Sequence, residues 1–68
     1  MSKFVHIAVT QHTNVLVEVE SDDIDSLNNA MQLAEDSVMG DVYGTEIVII
    51  TDEEPYGSFD DRIYLEDQ

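Results

Sequence analysis

In two segments near the start of the chain, residues 3–10 and 14–20, every second residue is hydrophobic. The positions that share one side of this alternation are Val5, Ile7, Val9, Val15, Val17 and Val19. A period of two is typical of a β-strand with one buried face. Polar residues 11–13 separate the two segments, so the pattern predicts a β-hairpin.

The next segment changes to the period of an α-helix. Its hydrophobic positions are three or four residues apart and form one narrow stripe: Ile24, Leu27, Met31, Ala34 and Val38. Leu33 is off this stripe and is either exposed or widens it. Residues 21–23 offer an N-cap and acidic side chains for the first turn, and Gly40 is a natural stop. We predict a helix over residues 22–38.

Two later segments favour strands. Residues 45–51 are β-branched and hydrophobic on both faces, which suits a central strand, and residues 62–66 suit a short edge strand. The expected fold is a single α+β domain over residues 1–68, a two-layer ββαββ sandwich. Its antiparallel sheet has the order 2-1-3-4 with the helix packed on one face. A right-handed crossover places the third strand beside the first, and the fourth returns as a hairpin.

The sheet face away from the helix is also expected to carry hydrophobic side chains. These are Phe4, Leu16, Val48, Ile50 and Tyr64, and the glutamates around them are Glu18, Glu20, Glu46 and Glu66. A hydrophobic patch with an acidic rim is typical of a surface that binds a partner or a second copy of the chain. A homodimer through this face or through an exposed strand edge is therefore one possibility.

Composition narrows the class of protein. The 68 residues include sixteen Asp and Glu but only one Lys and one Arg, so the formal net charge is −14 at pH 7. The many valines and isoleucines argue against a disordered acidic chain. Direct binding to nucleic acid is excluded because phosphate affinity comes from Lys and Arg. With no cysteine, no leader pattern and no hydrophobic run of about 18 residues, we expect a cytoplasmic protein.

The sequence offers little for catalysis. A nucleophilic serine needs a neighbouring base, and the candidates are His6 on a strand and His12 in a turn. The acidic runs 52–54 and 60–61 lack the spacing of a calcium-binding loop, and no phosphate-binding loop is present. We therefore expect no enzymatic activity, no metal and no cofactor.

The net charge needs a physical reason, because self-repulsion destabilises a compact chain. Carboxylates on a rigid domain can occupy the positions at which a DNA-binding protein normally contacts phosphates. Glu18 and Glu20 would project from one strand face about 6.8 Å apart, which matches alternate phosphates spaced about 3.4 Å along one DNA strand. Asp22, Asp25 and Asp36 would form a line on the helix, opposite the hydrophobic stripe.

Further acidic residues near the end of the chain are expected to cluster at one end of the sheet. They are Asp52, Glu53, Glu54, Asp60 and Asp61. The aromatic residues among or beside them offer possible anchors for a partner: Tyr56, Phe59 and Tyr64. The hypothesis is a distributed partner-binding surface made of carboxylates, to which these aromatic side chains are added.

The chain resembles small acidic inhibitors from bacteriophages and other mobile elements. The shared features are size, charge, lack of cysteine and a ββαβ-type layout, with an acidic-capped helix at residues 21–38. Such inhibitors include DNA-mimic anti-restriction and anti-CRISPR proteins, uracil-DNA glycosylase inhibitors and host-polymerase inhibitors. The resemblance covers the whole chain without a shared motif, so no functional residues carry over. It implies a stoichiometric inhibitor that acts in the host cytoplasm. Its target would be a protein that binds DNA or RNA in a basic groove.

The negative charge is open to two alternative interpretations. In the first, the chain is an acidic protein–protein interaction module that uses the hydrophobic sheet face without mimicry. In the second, the charge is an adaptation to high salt.

Overall fold

The computed structural model of the chain describes residues 2–10, 12–38 and 44–65. Its elements in chain order are β1 (Lys3–Ala8), β2 (Asn14–Val19), α1 (Ile24–Ser37), β3 (Glu46–Thr51) and β4 (Asp61–Ile63). One helix and a four-stranded sheet make an α+β fold, which confirms the predicted class. The predicted helix stop at Gly40 and the end of the predicted last strand at Glu66 lie outside the described residues.

β1 lies in the middle of the sheet, between β2 and β3, and is antiparallel to both. The predicted position of the third strand beside the first is therefore confirmed. β2 and β3 run in the same direction because the segment that contains α1 carries the chain from the end of β2 back to the other end of the sheet.

The prediction for the fourth strand is wrong. β4 does not return beside β3; it pairs in parallel with the outer edge of β2, where Val17 is opposite Ile63. The order is β3-β1-β2-β4 and the sheet is mixed. Residues 52–60 are long enough to cross two strands spaced about 4.8 Å apart. This position adds Ile63 to the core beside Val17.

The core lies between the sheet and α1. Its buried members are valines and one isoleucine from the strands and two alanines from the helix: Val5, Ile7, Val9, Val15, Val17, Val19, Ala30 and Ala34. The strand positions of the predicted alternation are thus all buried. Leu33 packs against this core and widens the helical stripe. Ile24 was predicted to belong to the stripe but is 74% exposed, because it is the first helical residue and Leu27 is the first to reach the core.

α1 begins at Ile24, later than predicted, because Asp23 is its N-cap. Asp23 has an extended backbone, and its Oδ1 accepts a hydrogen bond from the backbone N–H of Ser26 at 2.8 Å. This bond is the main cause that lowers the pKa of Asp23, and the hydroxyl of Ser21 adds to it. Asp22 therefore lies before the helix.

A β-bulge changes the phase of β3. Ile47 is opposite Ile7, whereas Ile49 is opposite His6, so Val48 is the extra residue between them. Ile47 and Ile50 both pack against the core. The prediction that Ile50 faces away from the helix is therefore wrong. The predicted central position of this strand is wrong as well, because β3 is at an edge of the sheet.

Residues 52–60, which we call the crossover, pass over the sheet face that α1 does not cover. They join β3 at one edge to β4 at the other, and the ring of Phe59 contacts the ring of His6 on β1. His6 is paired with Leu16, which faces the same side and is only 1% exposed. The predicted hydrophobic face is thus covered at Leu16 and exposed at the β3 edge, where Val48 and Ile49 are 52% and 53% exposed.

Candidate partner-binding surface

Both positively charged side chains of the sequence form ion pairs with the protein's own carboxylates. Lys3 Nζ lies 2.6 Å from Asp52 Oδ1, and Arg62 pairs with Glu54. The sequence contains no other Lys or Arg. The remaining carboxylates therefore have no lysine or arginine to offset them.

The Lys3–Asp52 pair connects the start of β1 to the residue that follows β3. The hydrogen bond from Lys3 is the main cause that lowers the pKa of Asp52, and the same bond raises the pKa of Lys3. The negative charge of Asp22 also raises the pKa of Lys3. Because the pair is on the surface, it neutralises charge locally more than it stabilises the fold.

Arg62 is the centre of a network that holds the crossover. Its Nη2 donates a hydrogen bond to the carbonyl oxygen of Gly57 at 3.0 Å, and its guanidinium lies 4.9 Å from the centroid of the Phe59 ring. The Tyr64 hydroxyl donates to Glu54 Oε2 at 2.6 Å. This hydroxyl is the main cause that lowers the pKa of Glu54, and Arg62 adds to it. Glu54, Phe59 and Tyr64 thus have structural partners within the chain.

The predicted cluster of acids over residues 52–61 does not form at one end of the sheet. Because β3 and β4 run in the same direction, Asp52 and Glu53 after β3 are at the opposite end from Asp60 and Asp61 before and in β4. The backbone N–H of Asn14 donates to Asp60 Oδ2 at 2.8 Å. The prediction was wrong because it placed the two strands in one hairpin.

Glu18 and Glu20 line a groove between the end of β2 and α1, with a volume of about 410 Å³. The groove is present because β4 is short and pairs only with Val15–Val17, which leaves the end of β2 uncovered. Glu18 is half-buried and accepts a hydrogen bond from the backbone N–H of Leu65 at 3.3 Å. Glu20 is exposed and lies one residue beyond β2.

The helix side of this groove carries Asn29 and Gln32. Helical geometry places both on the same side of α1 as Asp25 and Asp36, which are exposed. Gln32 Nε2 donates to Asp36 Oδ1 at 3.1 Å. The structure therefore joins one face of the helix to the end of β2.

We call this joint surface the acidic ridge and define it by four carboxylates: Glu18, Glu20, Asp25 and Asp36. Asp25 and Asp36 are about 16 Å apart along the helix axis and about 20° apart around it. Asp22 was predicted to continue their line, but it precedes α1 and does not follow the helical geometry. Gln32 was not among the predicted residues, although its spacing of seven from Asp25 in the sequence could have indicated it.

The three predicted aromatic anchors differ in exposure. Tyr56 has its side chain completely in solvent, at 103% exposure. Phe59 is half-buried between His6 and Arg62, and the Tyr64 hydroxyl donates its hydrogen bond to Glu54. Tyr56 is thus the one of the three whose ring is fully available to a partner.

Within the described part of the chain, no three His, Asp or Glu side chains are placed to hold a metal ion. The helix found there, α1, is not long and hydrophobic enough to cross a membrane. No protein-family model matches the chain, and no curated protein or solved structure matches it either.

Proposed function

We propose that the protein is a nucleic-acid mimic that inhibits a DNA- or RNA-binding protein by stoichiometric binding to its basic groove. Its role is that of a phage-type inhibitor in counter-defence or host takeover, such as anti-restriction or anti-CRISPR activity. The observation that carries this proposal is the pairing of Lys3 with Asp52 and of Arg62 with Glu54. These pairs leave the carboxylates of the acidic ridge unopposed.

The placement of these carboxylates supports the proposal. Three carboxylates of the acidic ridge, Glu18, Asp25 and Asp36, are held by a strand or a helix, and Glu20 directly follows β2. The distance from Asp25 to Asp36, about 16 Å, corresponds to about five phosphate steps along one DNA strand. Electrostatic attraction to a basic groove would make association fast and sensitive to salt.

The experiment is an affinity capture from bacterial lysate on the immobilised chain, eluted with a salt gradient and identified by mass spectrometry. We expect a nucleic-acid-binding protein that is retained at about 0.1 M salt and released well below 1 M, where screening shortens to about 3 Å. Soluble duplex DNA and RNA are then compared as competitors, and the better one identifies the polymer that is mimicked. A captured partner that ignores both competitors would contradict the mimicry.

A second candidate is an acidic protein–protein interaction module that does not mimic nucleic acid. The exposure of Val48 and Ile49 at the edge of the sheet favours it. In the same capture experiment, this candidate predicts a partner that stays bound at high salt. Substitution of Val48 and Ile49, rather than of the acidic ridge, would then release the partner.

A further inference from the structure

β3 forms one edge of the sheet. Among the described residues, β1 alone pairs with it, so none of the described strands covers its outer side. A strand at an edge presents backbone N–H and C=O groups that can pair with another chain. With respect to residues 2–10, 12–38 and 44–65, the outer side of β3 is therefore available for strand addition.

The side chains of β3 favour such pairing. Val48 and Ile49 are more than half exposed although both are hydrophobic and β-branched. Lysine and proline, which commonly protect an edge, are absent from Glu46–Thr51. The β-bulge at Val48 is the protective device that is present, and it leaves Ile49–Thr51 in regular register with β1.

Acidic residues stand at both ends of this edge. Glu46 begins β3 and Glu53 lies two residues beyond its end; both are exposed and neither is paired with Lys or Arg, whereas Asp52 is paired with Lys3. A second copy of the chain would bring another net charge of −14 to this edge. Charge complementarity instead selects a segment that has positive residues at its ends and β-branched residues at its centre.

We propose that the outer edge of β3 binds an extended segment of a partner protein as a fifth strand, with Lys or Arg at both ends and hydrophobic β-branched residues between them. Backbone pairing supplies affinity, and contacts with Val48 and Ile49 supply selectivity. This edge is opposite the β2 side of the sheet that carries part of the acidic ridge. The proposal is independent of the mimicry because the partner need not bind nucleic acid.

The test titrates the full chain, labelled with ¹⁵N, with the peptide Lys-Lys-Val-Thr-Val-Thr-Val-Lys-Lys and follows backbone amide shifts. A matched peptide carries proline in place of both threonines, which keeps the charge but prevents strand pairing. We expect the first peptide to shift amides of residues 46–51 and to bind about ten-fold more tightly than the proline peptide. Equal binding of the two, with shifts spread over α1, would overturn the proposal.

A pair of matched variants locates the site on the protein. Val48→Lys with Ile49→Lys should weaken binding of the first peptide about ten-fold, because like charge now faces the peptide and the hydrophobic contacts are lost. Ile24→Lys with Asn28→Lys adds the same charge to exposed positions on α1 and should change binding by less than about two-fold. An equal loss in both variants would overturn the proposal, and the dispersion of the amide spectrum reports whether each variant folds.

Self-pairing is examined by sedimentation of the chain alone at low and high salt. A monomer under both conditions supports a partner segment as the occupant. A dimer that protects the amides of β3 from exchange would show that a second copy is the occupant, and the proposal would be wrong. None of these measurements uses a nucleic-acid-binding protein, so their failure is distinct from failure of the capture experiment.

Discussion

The ring of Phe59 meets the ring of His6 edge-on, with 5.0 Å between the centroids and 85° between the planes. His6 Nε2 also lies 2.9 Å from Asn14 Oδ1, and the guanidinium of Arg62 lies over the Phe59 ring. These contacts join β1, β2 and β4 on the face away from the helix. The contacts of Phe59 therefore hold the crossover against the sheet, although most of its residues are exposed.

The contacts of Phe59 predict a measurable effect on stability. Phe59→Leu should lower the free energy of unfolding by about 1–2 kcal/mol, because it removes an aromatic pair and a cation–π contact. Tyr56→Leu is the matched control in the same segment and should change it by less than about 0.5 kcal/mol. Urea unfolding of both variants checks this prediction. If the two substitutions cost the same, the ring contact with His6 does not hold the crossover.

Leu16 tests whether the crossover buries a second hydrophobic layer. Leu16→Ala should lower the free energy of unfolding by about 2–5 kcal/mol, because Leu16 is almost fully buried. Val48→Ala, at a position that is half exposed, should cost less than about 0.5 kcal/mol. Thermal unfolding monitored by circular dichroism compares them. A small cost at Leu16 would mean that this face is open to water in solution.

The pKa of Glu54 predicts how stability depends on pH. Because the Tyr64 hydroxyl and Arg62 lower this pKa below its ordinary value of 4.5, the ionised carboxylate is favoured in the folded chain. The contribution of this ionised carboxylate to the free energy of unfolding is complete above pH 4.5. It is lost as pH falls through the lowered pKa of Glu54 in the folded chain. The difference in unfolding free energy between the wild type and Glu54→Gln should therefore narrow as pH falls below 4.5.

Urea unfolding at a series of pH values measures this difference. The control is Glu53→Gln, which removes a neighbouring exposed carboxylate that has no side-chain hydrogen bond with the described residues. The pH dependence that remains after the effect of Glu53→Gln is subtracted from that of Glu54→Gln is the part expected from the bonds of Tyr64 and Arg62. A gap that stays constant for Glu54→Gln below pH 4.5 would mean that the bonds from Tyr64 and Arg62 do not persist in solution.

The acidic ridge predicts which charges matter for binding to the captured target. Asp25→Asn with Asp36→Asn should weaken binding about two- to thirty-fold, in line with the loss of two exposed ionic contacts. Glu46→Gln with Glu53→Gln removes the same charge at the two ends of β3. If mimicry uses the ridge, this control should weaken binding less, and the slope of affinity against salt should fall more for the ridge variant. Equal effects would mean that total charge, and not the ridge, determines binding.

The sequence predicts those elements whose signal is local. The alternation at Val15, Val17 and Val19 and the helical spacing from Leu27 to Val38 both appear in the core. The phase of β3 was not predictable, because its residues are hydrophobic on both faces and a bulge at Val48 leaves no mark in such a run. The edge occupied by β4 was not predictable either, because its pairing with β2 and the contact of Phe59 with His6 join residues far apart in the sequence.

The candidate surface also has a part that is predictable from local sequence and a part that depends on distant residues. The shared helix face of Asp25 and Asp36 follows from spacing alone, and the structure retains it. The pairing of Lys3 with Asp52 joins residues far apart in the sequence, so it emerges only when the strands are in place. For that reason the sequence shows how much negative charge is present but not which carboxylates are already paired.

The position of β4 also bears on the order of folding. β1 and β2 are joined by a short connection, whereas the pairing of β4 with β2 closes a loop that contains α1, β3 and the crossover, so we expect the hairpin to form first. Until then, the outer edge of β2 and the side chain of Leu16 remain unprotected, as they would on a nascent chain still leaving the ribosome. Mutual repulsion between such highly charged chains would keep these open edges from pairing with one another.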